Sequence, residues 1–568
     1  MRNRRVWMDW AFAALLTAAM FMALKYRTNF RFENSDDIVM VKAFMGFEGG
    51  NPADFSLYLH TMLAWAMYGI SLLAPGIPWF SLFQVGLLFF SCTVIAKSFF
   101  QLAEKTRFPR VTGALASVFF LAAFAAFTCC RVNFTTTAAL AGAAAVAQIM
   151  TVDFSSPERA PRVRAVLLAV LLLTARYTLR VWAALPSALF IGGVLVWRLV
   201  PQGAGANRTP VPWRPVLKTT IVFLSVLLAL FAVRQAEIGL RGLRGYMAWN
   251  DANGALLDYT DFETNAEPAV RSCCGLASSE IKLVQQWYFL SSDIDEQALW
   301  TMANAYGQAE RNGWATLGSF FAGNARYPYL AAVLILLFGV NLLRLRRDAW
   351  SSPLLSFASL LVTVFMLYYL ASRGRLLPRA VDSVLFPSAA LNLGLALQGW
   401  SGSLRHGLRT AATVALAVLL AAAWLYNARL TRQTLTLAED TVSPRREADL
   451  ESYALQNPEL LVVRTPNLLR DTRLFPDGSN GIPGNTIFWG DWLCRTPNWN
   501  RQLGLFGFDA EHFTAQDWLK DNIVFAALSP ADTEDLRAYI AEATGKQIAA
   551  EETGACGTLR FYRFSIVE

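Results

Sequence analysis

Apolar residues in this chain gather in blocks of about 18–22, the length a helix needs to cross a ~30 Å hydrocarbon layer. The blocks recur along most of the sequence. A soluble core does not need that pattern, and in lipid each block must satisfy its own backbone hydrogen bonds, which a helix does. Spans are expected near residues 7–24, 79–99, 111–129, 133–150, 163–175, 181–199, 217–234, 327–343, 354–371, 380–398 and 410–427. The composition agrees: of 568 residues 55% are hydrophobic and 16% charged, with mean hydropathy +0.35. A net charge of +8 would suit nucleic acid. Here, however, the basic residues cluster between apolar blocks, where the positive-inside rule puts them, so nucleic acid is not expected as a partner.

Met1 to Arg5 followed by the apolar run Val6 to Leu24 resembles a secretory signal, but no small-x-small pattern precedes Lys25. An uncleaved first helix is expected. The segment 57–75 is harder to place. It is apolar, carries His60 and ends in Pro75-Gly76-Ile77-Pro78. If it lies at the interface, every inner loop is basic, from Arg2, Arg4 and Arg5 to Arg405 and Arg409. If it crosses, the later basic clusters move outside, which the rule disfavours. We therefore read it as interfacial or re-entrant, with the N-terminus inside and the C-terminus outside.

This topology puts four features on the outer side. They are a first loop, 25–78; short turns carrying Arg176 with Arg180, and Arg373 with Arg375 and Arg379; a loop of about ninety residues, 235–326, too long for a mere connector; and a soluble tail, 428–568. The long loop holds a surface helix around 280–305. In the tail, Leu460 to Arg464, Asn522 to Leu528 and Leu559 to Ile566 read as strands and Asp532 to Ala543 as an amphipathic helix. The fold class expected is a polytopic α-helical membrane protein of about eleven transmembrane helices, residues 1–427 with both outer loops, joined to a small C-terminal α/β domain, 428–568.

Seven cysteines fit no zinc template, leaving either a Cys494–Cys556 bridge in an oxidising compartment or unpaired thiols. The three histidines have no ligand-spaced neighbours, so no metal site is expected from them. No P-loop, nucleophile elbow or dinucleotide fingerprint is present. Asp36 and Asp37 follow the first span. A partly desolvated carboxylate at the lip of a membrane cavity can act as a general base, although Asp is also a common cap residue. The outer arginines, exceptions to the charge rule, suit a lipid phosphate, because guanidinium binds its oxygens bidentately; snorkelling, or pairing with Asp382, is the alternative.

The order of these patches carries a resemblance. NSDDIVMVKAF (34–44), GNPADFSLYLHTMLAWAMYG (50–69), PGIPWFSLF (75–83), NFTTTAALAG (133–142), MAWNDANGALLDY (247–259), RGRLLPRAV (373–381) and GDWLCRTPNWNRQL (490–503) extend over most of the chain. Together they resemble the GT-C superfamily of polyprenyl-phosphate-sugar-dependent glycosyltransferases, and within it bacterial membrane proteins akin to O-antigen glucosyltransferases.

The resemblance implies an inverting transfer from a polyprenyl-phosphate sugar to a surface glycan, lipid or protein, at the outer face of a bacterial inner membrane, with the C-terminal domain periplasmic. Asp36 or Asp37 would be the base. Arg176, Arg180, Arg373, Arg375 and Arg379 would bind the donor phosphate, and Glu48, Asp54 and His60 would line the acceptor side. Membrane lipids would be partners, and a divalent cation is allowed as cofactor but not required. The family's usual HPP-type motif is missing after the acidic pair, where Asn51-Pro52 and His60 stand instead. Two rivals remain: a polymerase or ligase using a diphosphate-linked lipid donor, and a lipid or polysaccharide transporter.

Overall fold

The structure is a computed structural model. It describes all residues except 1, 48–49, 107–108, 182, 201–212, 259–275, 277, 290–293, 307–311, 343–349, 399–428, 430–441, 465–471, 477–480 and 568. In chain order the helices before the tail are α1 (Arg2–Arg27), α2 (Ser35–Met45), α3 (Thr61–Leu73), α4 (Trp79–Leu102), α5 (Pro109–Cys130, with a π-turn at Leu121–Ala125), α6 (Phe134–Met150), α7 (Arg159–Leu179), α8 (Ala184–Leu199), α9 (Trp213–Leu240), α10 (Arg244–Asn253), α11 (Ser278–Gln285), α12 (Glu296–Tyr306), α13 (Gly313–Gly323), α14 (Arg326–Leu342), α15 (Ser351–Ser372) and α16 (Pro378–Gln398). The tail adds α17 (Val442–Gln456), β1 (Leu461–Arg464), β2 (Thr486–Phe488), α18 (Pro497–Leu505), β3 (Ile523–Ala527), α19 (Glu534–Thr544), β4 (Ile548–Cys556) and β5 (Leu559–Ile566).

Helices occupy ten of the eleven expected spans; the eleventh, 410–427, lies outside the described residues. Among the described residues, α1, α4, α5, α9, α15 and α16 are long and apolar enough to cross a membrane. The pair α13–α14, bent by 107°, is a seventh candidate if it counts as one span. α6 and α8 are shorter, at 17 and 16 residues. α7 has 21 residues but carries Arg159, Arg162, Arg164 and Arg176. The chain is an integral membrane protein. α3, with 13 residues, is about 20 Å long, short of the ~30 Å a crossing needs.

The chain divides into two compact units. Unit one is Met1–Arg31, Phe83–Ala232 and Arg311–Glu439; unit two is Phe32–Leu82, Val233–Glu310 and Asp440–Glu568. In unit one, α6 is the hub. Every residue of its run FTTTAALAGAAAVAQIM is buried, and it packs against α7, α8 and α16. Small side chains let the backbones approach closely, which stands in for the hydrophobic force that lipid cannot supply. Gly142 shows why: a Cβ there would lie 2.0 Å from Nη1 of Arg176 and 2.1 Å from Oγ of Ser187. Polar groups also join the helices. Asn341 donates to Ser356 (3.2 Å), Ser356 to Asn392 (2.5 Å), Asn392 to Ser359 (2.7 Å) and Thr363 to Ser388 (2.9 Å), linking α14, α15 and α16.

Unit two is built on a five-stranded sheet in the order β2-β1-β3-β5-β4. β1 runs parallel to β2 and β3, and β3 is antiparallel to β5. Strand alternation gives the sheet two faces. Val462, Val524, Ala526, Leu559 and Phe561 meet Leu450, Tyr453 and Ala454 of α17, with Tyr453 stacked on Phe561 at 3.5 Å. Phe525 and Phe564 point the other way, into an aromatic cluster with Trp518, Trp489 and Phe513. The expected strands at 460–464, 522–528 and 559–566 are β1, β3 and β5, and the expected helix at 532–543 is α19 after a short 3-10 turn, Pro530–Thr533. β2 and β4 are additions. The single helix expected at 280–305 is two, α11 and α12; after α11, Trp287 takes φ +66°, a left-handed conformation that ends helical propagation.

The Cys494–Cys556 bridge is not formed. The sulfur of Cys494 is turned inward and accepts from the Gly490 amide at 3.0 Å. Cys556 ends β4, against the α17 face of the sheet. Cys273, Cys274 and His406 lie outside the described residues.

Candidate functional site

The acidic pair opens α2. Asn34 takes an extended conformation at the N-cap, and Asp36 and Asp37 fall in the first turn, where the helix dipole favours negative charge. The two differ in environment: Asp37 is fully buried and Asp36 half-buried. Nδ2 of Asn34 donates to Oδ2 of Asp36 at 3.1 Å. From Asp37 to Phe47 every residue is buried. Gly46, at φ +91°, closes the helix in the left-handed region that favours glycine.

The segment after α2 is held by the C-terminal turns of α9 and by Arg241 just beyond it. Arg241 places Nη2 3.0 and 3.1 Å from the two carboxylate oxygens of Asp54 and Nη1 3.3 Å from Glu237. Glu237 also accepts from the Thr61 hydroxyl. Arg234 donates to the carbonyls of Leu57 and Leu59 at 2.8 and 2.7 Å. His60 is fully buried and N-caps α3, its Nδ1 accepting from the Met62 amide. Asp54 and His60, the acceptor-side candidates of the sequence reading, thus have structural partners here, and Asp54 is the more exposed. Glu48 lies outside the described residues.

The tail meets the first loop at Lys42. The Lys42 ammonium lies 2.5 Å from Oε2 of Glu447 and 3.0 Å from Oε1 of Glu451. Nη1 of Arg464 is 3.4 Å from the same Glu447 oxygen. Burial alone would lower the Lys42 pKa, but the two carboxylates outweigh it and the value is raised. Burial alone would raise that of Glu447, but Lys42 and Arg464 hold it below the ordinary value. Both groups are charged near neutrality.

The arginines belong to unit one. Arg176 is fully buried in α7, and its guanidinium donates to the carbonyls of Ala183, Ala139 (3.3 Å) and Ser383 (3.0 Å). It ties α7 to α6, α16 and the turn before α8, so its donors serve the backbone. Arg180, half-buried, stands 5.3 Å from the Phe134 ring centroid. Arg373 is exposed, Arg375 is half-buried in the turn between α15 and α16, and Arg379 is half-buried in the first turn of α16. Asp382 pairs with Arg326 at 3.2 Å, not with that turn. The Arg326 guanidinium stacks 4.5 Å from the Phe127 ring.

Sequence reasoning missed Arg326, Arg241, Glu237, Lys42 and Glu447. Lys42 carried a signal, as the one charge in the apolar run IVMVKAFMGF; the others had none. Among the described residues no group of three or more His, Cys, Asp or Glu side chains could hold a metal ion.

No protein-family model matches the chain, and no curated protein matches it. Among solved structures it is similar to ArnT from Cupriavidus metallidurans bound to undecaprenyl phosphate, at 11% identity and TM-score 0.35, with 97% of this chain and 98% of that chain covered. The apo state of the same protein gives 13%, 0.37, 97% and 97%. The archaeal oligosaccharyltransferase AglB from Archaeoglobus fulgidus, in complex with an inhibitory peptide and a dolichol-phosphate, gives 12% and 0.35, with 80% of this chain and 58% of that one covered. Likenesses this distant leave the function to be argued from the residues.

Proposed function

We propose that the chain is an integral membrane glycosyltransferase of the GT-C type. In this reading it transfers a sugar from a polyprenyl-phosphate donor to a glycan, lipid or protein acceptor at the outer face of a bacterial inner membrane, with the tail domain, 428–568, on the periplasmic side. The observation that carries it is the acidic pair in the first turn of a buried helix, shortly after an apolar first helix and within a unit that also contains Val233–Glu310 and Asp440–Glu568. A soluble hydrolase has no use for the six membrane-length helices among the described residues; an enzyme whose donor is dissolved in lipid does.

Asp36 is our choice of base. A general base must come within hydrogen-bond reach of the hydroxyl it deprotonates, and of the two carboxylates Asp36 is the one with solvent access. Asp36 takes the acceptor's hydroxyl proton, the oxygen attacks the anomeric carbon, and the bond from that carbon to the phosphate oxygen breaks. The electron pair leaves on the lipid phosphate, and attack opposite the leaving group inverts the configuration. Arg180, Arg375, Arg379 and the exposed Arg373 are our candidates for stabilising the charge that develops on the phosphate. Arg176 we assign to packing, on the evidence of its three backbone acceptors.

Asp36→Asn keeps the shape and removes the basicity. We expect transfer in membrane vesicles to fall about 100- to 10,000-fold, the usual contribution of a general base, with the thermal midpoint unchanged. Wild-type transfer by both Asp36→Asn and Asp37→Asn would show that the pair has no catalytic part.

A further inference from the structure

Given that reading of the acidic pair, we infer that the tail positions it: Glu447 of α17, acting through Lys42, holds α2 in the attitude that transfer requires. The tail grips the α2 segment at three places. Before the helix, the Phe32 amide donates to the Thr472 carbonyl at 2.8 Å. In its interior, Lys42 meets Glu447 and Glu451. After it, the Thr486 hydroxyl donates to the Phe47 carbonyl at 2.9 Å, and Gly50 lies so close to Gly484 that a Cβ on the latter would be 3.4 Å from the Gly50 Cα.

The middle contact decides the matter. Lys42 is the one charged residue between Ile38 and Phe47, and it is 2% exposed. An ammonium in such a place needs a carboxylate beside it. Glu447 and Glu451 are four residues apart on α17, hence on one helical face, and both reach the same ammonium. Arg464 of β1 brings a second cation to Glu447, and the charge of Arg473 acts on the same carboxylate. α2 can keep Lys42 buried only while α17 is seated on the sheet. Asp37 and Asp36 are five and six residues before Lys42 on the same short helix, so a shift at Lys42 moves the carboxylates. Reacting groups tolerate little displacement: a 1 Å error can cost about 100-fold in rate. Glu447 is therefore a positioning residue; it touches no reacting atom.

The test uses the full-length protein in membrane vesicles with the cells' own lipid-linked sugar pool as donor, together with amide hydrogen exchange. For Glu447→Gln we expect transfer to fall more than about 10-fold and exchange over 35–45 to rise, with β3 and β5 as protected as in the wild type. Glu447→Asp, which keeps the charge, should recover most of the transfer, a rescue that packing volume alone would not give. Should Glu447→Gln unfold the tail, Thr486→Val removes only the Phe47 contact and should lower transfer and α2 protection together. Wild-type transfer with Glu447→Gln, or with Thr486→Val where the former unfolds, overturns the inference. Asp36→Asn and Asp37→Asn run alongside. If both transfer normally, the base reading fails whatever Glu447→Gln does; an inactive Asp36→Asn beside a fully active Glu447→Gln removes only the tail's role.

Discussion

At the scale of single residues, burial sorts cations that look alike in the sequence. Arg176 and Arg180 are one helical turn apart, yet Arg176 is sealed among backbone carbonyls while Arg180 keeps partial access. Removing the Arg176 side chain takes a charged donor from three backbone carbonyls, and hydrogen bonds to a charged group contribute roughly 1.5–3 kcal/mol each. Arg176→Ala should lower the thermal midpoint clearly, measured by unfolding in detergent, and Gly142→Ala should do likewise because its Cβ collides with the same guanidinium. A midpoint equal to wild type in both would contradict the packing role. The sequence showed arginines at the ends of apolar blocks but not which of them serve packing. That distinction depends on which carbonyls lie within reach, and local spacing does not encode it. The same holds for Asp382, whose partner, Arg326, comes from a helix 56 residues away.

At the scale of elements, periodicity and apolar run length place most helices to within a few residues, because each crossing block must be helical whatever its neighbours do. The tail strands β1 and β3 are legible for a related reason, as short apolar runs bounded by polar residues, and β5, LRFYRFSI, by its aromatic strand formers. β4, IAAEETGAC, was not, since its strand character comes from pairing with β5 and not from its own residues. The pattern of residues 34–44 does not announce α2 as a helix, and its anchoring by Lys42 gives it a pH dependence. The Glu447 pKa is depressed below its ordinary 4.5, so its contribution is present above that value and lost as pH falls through the depressed one. That of Lys42 is raised above 10.5, so its contribution is present below that value and lost as pH rises through the raised one. Protection factors of the α2 amides, corrected for intrinsic exchange, should be flat from pH 4.5 to 10.5 and fall outside that window. A transition near pH 7 would contradict the cluster as described.

For the molecule as a whole, Phe32–Leu82, Val233–Glu310 and Asp440–Glu568 are far apart in sequence but form one compact unit, while most of the apolar helices belong to the other. Both loops owe their order to contacts the sequence could not announce: Arg241 with Asp54, Lys42 with Glu447, the Trp489 indole donating to the Phe289 carbonyl at 2.9 Å. The proposed topology predicts that a periplasm-dependent phosphatase fused after residue 568 is active and one inserted at 343–349 is not; the reverse pattern would invert the topology. The claim on which the account rests is sugar transfer by the acidic pair. Its most direct test is mass spectrometry of surface glycans from cells that lack the gene, carry it, or carry it with Asp36→Asn. The account predicts a hexose or pentose missing without the gene, restored by the wild type and still missing with Asp36→Asn. Identical glycan masses in all three would contradict it.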